Sequence, residues 1–291
     1  MSDGPILVGY DGSPDAAAAL DWALTQANRD GRAVRLAYIF EWLTVAGWLG
    51  PGMTPGMWPD EQARQQVEEL VRKAAADAAA AHPDLTVSGE VLDGPPALVL
   101  EECSTEAGLL VLGSRGHGGF AGLLAGSTAV TVSAHAHCPV VVVRRETAGR
   151  NRAGAVAVGV DGSEQSLLAL GFAVEQAALR EVPLRVLRAW QPQRDQWNLT
   201  GEQARDAAIA DQRTDLDEPL RRWQEAFPDV ETSVETAPAA AAGLLIDASR
   251  DAQLMVVGTR GRGGLRGMLL GSVSQQLIQH AHCPVAVVRE R

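Results

Sequence analysis

The chain has 291 residues, 25 of them basic and 36 acidic, with a net charge of −11 and a pI near 5.0. This length suits about two domains, and the charge argues against binding to duplex nucleic acid or anionic membranes, which need a basic footprint. Hydrophobic residues make up 46% at a mean hydropathy of −0.03, so a soluble globular protein is expected, with no run near the ~18 apolar residues of a membrane span.

The first strand is expected at Ile6–Val8. Ser13 is a good N-cap and Pro14 suits a first helical turn, opening a helix through about Ala27. Val34–Phe40 reads as a second strand, Ala63–Ala81 as a long helix, Leu85–Val91 as a third strand and Pro96–Thr105 as a helix. Leu109–Leu112 is a fourth strand leading into a glycine loop. Ser127 is expected to cap a helix to about His137, and Pro139–Val143 closes the unit.

The pattern then repeats. ILVGYDGS at 6–13 returns as VAVGVDGS at 156–163. GSRGHGGFAGLLAGST at 113–128 returns as GTRGRGGLRGMLLGSV at 258–273, with 9 of 16 positions identical. HAHCPVVVVR at 135–144 returns as HAHCPVAVVR, with 9 of 10 identical. A repeat this long is a duplicated domain. The boundaries are 1–146 and 152–291, around the polar linker Arg145–Arg152. Short apolar strands alternating with helices predict a parallel sheet covered on both faces. The fold class is therefore α/β, with two tandem doubly wound five-stranded domains.

The densest chemical signal is Gly113-x2-Gly116-x9-Gly126-Ser127 and its copy Gly258-x2-Gly261-x9-Gly271-Ser272. A glycine loop leaving a strand and ending at a helix start is suited to phosphate, because backbone N–H groups can approach its oxygens. The bland alternative is a tight turn that needs positive φ. A Walker A loop would need a lysine, and Lys73, the only lysine, lies in an Ala-rich helix. The dinucleotide pattern GxGxxG after the first strand is replaced by GYDGSP and GVDGSE. Asp11 and Asp161 stand at the carboxyl end of that strand, where doubly wound sheets bind ligands. Each can accept from an adenine amino group or simply cap a helix through an Asp-Gly turn. Gly9 and Gly159, on the same pleat face, are expected to leave room beside them.

With an Asp after strand one, G-x2-G-x9-G-[ST] after strand four and a closing HCPV-x-VVR strand, the chain resembles the ATP-binding type of universal stress protein over nearly its whole length. The resemblance implies a sheet order of 3-2-1-4-5 in each domain, with the Asp loop beside the glycine loop. It implies that Asp11 and the backbone of Ile39 hold adenine, and that Gly113, Gly116, Gly126, Ser127 and Thr128 take ribose and phosphates. The matching positions of copy two are Asp161, Ala189, Gly258, Gly261, Gly271, Ser272 and Val273. Arg115 and Arg260 are candidates for added charge, or simply exposed arginines. Gly94 follows strand three, whereas copy two has Ala239. The resemblance also implies that the domains associate through their last strands, and that chains then form homodimers.

The remaining signals are weaker. His135, His137 and Cys138, repeated as His280, His282 and Cys283, cannot share one helix face, so a helix C-terminus is expected there and no metal site. The tryptophan-, glycine- and proline-rich segment 42–60 reads as a covering loop, or as a lid or partner surface. Asn198-Leu199-Thr200 is a glycosylation pattern discounted without a secretion signal. The N-terminus shows no signal-peptide pattern, and three cysteines are too few for a disulfide framework, so the cytoplasm is the default compartment. No catalytic motif is visible. The expected function is ATP binding with Mg²⁺ in each domain, regulatory rather than enzymatic, acting on an unidentified protein partner. A slow ATP hydrolase or phosphotransferase is the alternative.

Overall fold

Ile6, Leu7 and Val8 are all fully buried. Successive strand side chains point to opposite faces, so their strand must be covered on both sides. A computed structural model describes residues 4–41, 61–116, 125–147, 149, 153–190, 216–262 and 270–290. The segment 42–60, the Asn198 sequon and half of the linker fall outside these residues.

The first half contains β1 (Ile6–Gly9), α1 (Pro14–Asp30), β2 (Val34–Phe40), α2 (Glu61–Ala81), β3 (Val87–Asp93), α3 (Pro96–Cys103), β4 (Leu109–Gly113), α4 (Ser127–His135) and β5 (Val140–Val143). The second contains β6 (Ala155–Gly159), α5 (Glu164–Arg180), β7 (Leu184–Trp190), helical residues 216–226 as α6, β8 (Thr232–Pro238), α7 (Ala241–Ala248), β9 (Ala252–Gly258), α8 (Ser272–His280) and β10 (Val285–Val288). Ser13 caps α1 by accepting from the Ala16 N–H, and Gly31 ends it in the left-handed region at φ 71. α5 ends the same way, but on Glu181 at φ 54. β3 starts two residues later than the pattern suggested. The N-cap of α4 is Gly126, and Ser127 is its first helical residue.

Each half has the strand order 3-2-1-4-5, and the two halves join in one ten-stranded sheet, β3-β2-β1-β4-β5-β10-β9-β6-β7-β8. All described pairings are parallel except β5 with β10. One core, beneath α1, α2, α5 and α6, runs through both halves on one face. The other, beneath α3, α4, α7 and α8, does so on the opposite face.

The junction has near-twofold symmetry. Val142 pairs with Val285, Val141 with Ala286 and Val140 with Val287, so the equivalent positions Val141 and Ala286 meet at the axis. Arg144, just past β5, donates to the carbonyls of Gln279 and Ala281 at the end of α8. Its counterpart Arg289 donates to Ala134 O near the end of α4 at 2.8 Å. A cation at a helix C-terminus satisfies carbonyls that have no partner within the helix. On the opposite face, the buried Gln26 and Gln176 both accept from Arg180, which also stacks over Trp22. Burial disfavours the Arg180 cation, Arg29 repels it and Asp30 opposes both effects.

Candidate functional site

In both halves the chain leaves the first and fourth strands side by side, at the point where the strand order reverses. At the end of β1, Asp11 Oδ1 accepts from Ser13 N–H at 2.9 Å, and the intervening Gly12 has φ 79. At the end of β6, Asp161 Oδ1 accepts from Ser163 N–H at 3.0 Å and Ser163 Oγ at 2.6 Å, with Gly162 at φ 79. The left-handed turn glycines are therefore Gly12 and Gly162, and none of the six loop-motif glycines has positive φ.

Four of them, Gly113, Gly116, Gly258 and Gly261, are glycines for reasons of space. A Cβ on Gly113 would lie 2.7–2.9 Å from the backbone of Asp15 and Ala16, so a side chain there would push β4 away from the first turn of α1. Gly258 meets Gln165 in the same way. A Cβ on Gly116 would lie 2.5 Å from Asp11 Oδ2, and one on Gly261 would lie 2.3 Å from Asp161 Oδ2. The aspartate is thus a strut between two loops. Its second oxygen in copy two accepts from Arg262 N–H at 2.7 Å. Burial raises the Asp161 pKa. The Ser163 hydroxyl and N–H, the Arg262 N–H and the Ser166 hydroxyl outweigh it, and the net shift is below the ordinary value.

Gly126 and Gly271 close the loops, donating to Ser114 O and Thr259 O, both at 2.7 Å. Their N–H groups are therefore occupied. As N-caps they offer no side-chain hydrogen bond to α4 and α8. By contrast, Ser13 and Ser163 cap α1 and α5. The helices that start beside the glycine loops thus have first-turn donors without a side-chain cap, as do α3 and α7, and such an open start suits an anion.

A cavity of about 330 Å³ opens here in copy two. Gly159, Asp161, Ala189, Gly258, Arg260, Gly261, Gly271, Ser272 and Val273 all line it. Seven further residues complete the wall: Val160, Ser166, Leu187, Ala241, Leu245, Val257 and Ser274. These are mostly core-like residues from β7, α7 and β9. Only the alternation of Leu187 and Ala189 on β7 marks any of them in the sequence. Gly159 faces Leu245 and Val257, with Leu245 2.6 Å from the position its Cβ would take.

In copy one, the space beside Gly9 is filled by Leu112, 2.5 Å from a Cβ there, and by Leu100. The expected room is an apolar floor. Ile39 packs partly buried against the core of that face, and Ser127 and Thr128 form the first turn of α4. Arg115 is ion-paired, with Asp15 at 3.4 Å and Glu146 at 2.5 Å. Asp15 also accepts from Ser114 Oγ at 2.7 Å. Gly94 has φ 134 and donates to Phe40 O, whereas Ala239 donates to Ala237 O, so the two copies turn differently after the third strand.

The HAHC segments end α4 and α8. His135 Nδ1 lies 2.8 Å from Thr131 O of its own helix. Cys138 and Cys283 are core residues, and burial pushes the Cys283 thiol up to about 12. Among the described residues no helix is long and apolar enough to cross a membrane.

The family model for universal stress proteins matches residues 4–144 and 154–289. A universal stress protein of Mycobacterium tuberculosis strain H37Rv is 36% identical over 293 residues, covering 98% of this chain and 97% of its own length. One from Mycolicibacterium smegmatis is 35% identical with the same coverage. The crystal structure of a universal stress protein from Archaeoglobus fulgidus superposes with a TM-score of 0.69 at 18% identity, covering both chains fully. Two family matches that together span nearly all of a duplicated sequence lead to one conclusion: the chain belongs to the universal stress protein family, as a tandem of two such domains.

Proposed function

We propose that each domain binds ATP with Mg²⁺ and that occupancy regulates the protein's interaction with a protein partner. The observation that carries this reading is the copy-two cavity. Its apolar side, with Ala189, Leu245 and Val257, suits a base, and its other side is the uncapped start of α8. The volume lies at the low end of ordinary ligand sites, about 300–1,000 Å³. Asp161 already accepts three hydrogen bonds. A carboxylate has about four acceptor positions, which leaves one for an adenine amino group. In copy one, Asp11 and the Ile39 backbone take the matching roles.

Mg²⁺ keeps several waters and is held largely through substrate phosphates. The hydroxyls of Ser127, Thr128 and Ser272, in the first turns of α4 and α8, are oxygen donors of the right type. Bound phosphate would satisfy the open helix starts and tie them to the aspartate strut. Regulation then requires a second state that binds ATP less well. Homodimerisation through β5 and β10 has no free edge to use, because those strands pair within the chain.

Nucleotide-stripped protein should bind two ATP per chain by calorimetry. Asp11→Ala should weaken one site and Asp161→Ala the other, each by about 5- to 150-fold for a lost hydrogen bond of ~1–3 kcal/mol. A stoichiometry of one that is unaffected by Asp161→Ala would overturn the assignment of copy two.

A further inference from the structure

The two copies differ in charge where the glycine loop meets the helix start. In copy one, Arg115 is held between Asp15, whose side chain is 7% exposed, and Glu146. In copy two, both acidic positions are changed. Gln165 replaces Asp15, and the residue aligned with Glu146 is Arg291. Arg260 has no acidic partner among the described residues, and it lines the cavity. Arg262 adds a further cation where copy one has His117. Its backbone binds Asp161 and its guanidinium reaches Gly162 O. Glu164, in place of Pro14, is exposed and not part of the cavity wall. Around the first site, Arg115 is thus paired with Asp15 and Glu146, and Arg144 also lies within electrostatic reach of both carboxylates. Around the second, Asp161 is the one carboxylate on the described cavity wall, and Arg260 and Arg262 stand beside it.

We infer that the two sites select nucleotides by phosphate charge to different degrees, with Arg260 making the second site the triphosphate-selective one. This rests on the proposal that both sites bind adenine nucleotides. An arginine without a carboxylate partner can engage added phosphate oxygens by charge-assisted hydrogen bonds. One that is already paired must first give up its carboxylates, and those carboxylates repel the incoming charge. ATP and AMP share the base and ribose, so their affinity ratio isolates this effect.

The experiment is calorimetry with ATP and with AMP on the stripped full-length protein. One site is blocked at a time: Ile39→Trp to leave copy two, Ala189→Trp to leave copy one. The ATP-over-AMP preference should be about tenfold larger at copy two. There, Arg260→Gln should lower the preference by about five- to tenfold, and Gln165→Asp should lower it in the same direction. At copy one, Glu146→Gln should raise it. Two-site titrations of the wild type and Arg260→Gln without blocking substitutions give the same comparison if a tryptophan variant fails to fold. Equal preference at the two sites, or a preference untouched by Arg260→Gln, overturns the inference and leaves nucleotide binding standing. Absence of nucleotide binding at both sites overturns both.

Discussion

Asp161 shows how a residue that reads as a ligand contact is first a piece of architecture. Three donors converge on its carboxylate from two loops. Its pKa in the fold is below the ordinary 3.8. The ionised form therefore stabilises the fold fully above that value, and the contribution is lost as pH falls below 3.8 through the lower folded value. Asp161→Asn should cost about 1–3 kcal/mol near neutrality. The gap between wild type and variant in thermal unfolding should narrow on acidification below that window. A gap that widened there would contradict the strut. The sequence placed Asp161 and Gly261 in one site, but not the reason for the glycine. The crowding comes from a carboxylate a hundred residues away in sequence, and spacing alone suggests a turn conformation instead. The partner of Arg115 was hidden for a similar reason, because Glu146 lies beyond the closing strand.

At the scale of elements, nearly every strand and helix was legible, because apolar runs and caps are local signals. What was not local was the geometry of β5 against β10. The single mismatch between the two HCPV-x-VVR strands, Val141 and Ala286, falls on the pair at the pseudo-twofold axis. Both residues are completely buried and face the core beneath α1 and α5. Equivalent side chains meet each other at an axis, so a bulky residue facing a small one is expected to pack there better than two valines. Ala286→Val should destabilise the protein by about 1–3 kcal/mol through overpacking. Chemical denaturation measures it, and a neutral or stabilising result would show spare volume at the axis. The arginine clasps add a second tie, since the arginine after each domain's closing strand ends on α8 or α4 of the other.

For the whole molecule, the duplication, fold class and family were readable because the motifs occur twice. The cavity wall was less so. Leu245 and Val257 look like any buried aliphatic residue in the sequence, and only folding brings them beside Gly159. The assembled site also bears on turnover. Lys73 pairs with Asp77 on exposed α2, and the carboxylate on the described cavity wall, Asp161, is committed to loop hydrogen bonds. Phosphoryl transfer depends on positioned charge and an oriented nucleophile. ATP incubated with Mg²⁺ and the protein should thus survive many minutes. Turnover above about one per second, abolished by Gly116→Ala with Gly261→Ala, would reverse this view.

The antiparallel seam also sets an order of events during synthesis. β5 is complete when residue 143 has been made, yet its partner β10 begins about 140 residues later, a wait of roughly 7–28 s at ~5–20 residues per second. Through that interval the nascent first domain presents four consecutive valines on an unpaired edge, the kind of strand that recruits another chain. Neighbouring ribosomes on one message carry identical copies of that edge. Two such strands can adopt the same register that β5 and β10 use, but with valine facing valine at the axis. If two valines overpack the axis, the Val141–Ala286 pair is expected to favour the late, intramolecular partner over the early, identical one.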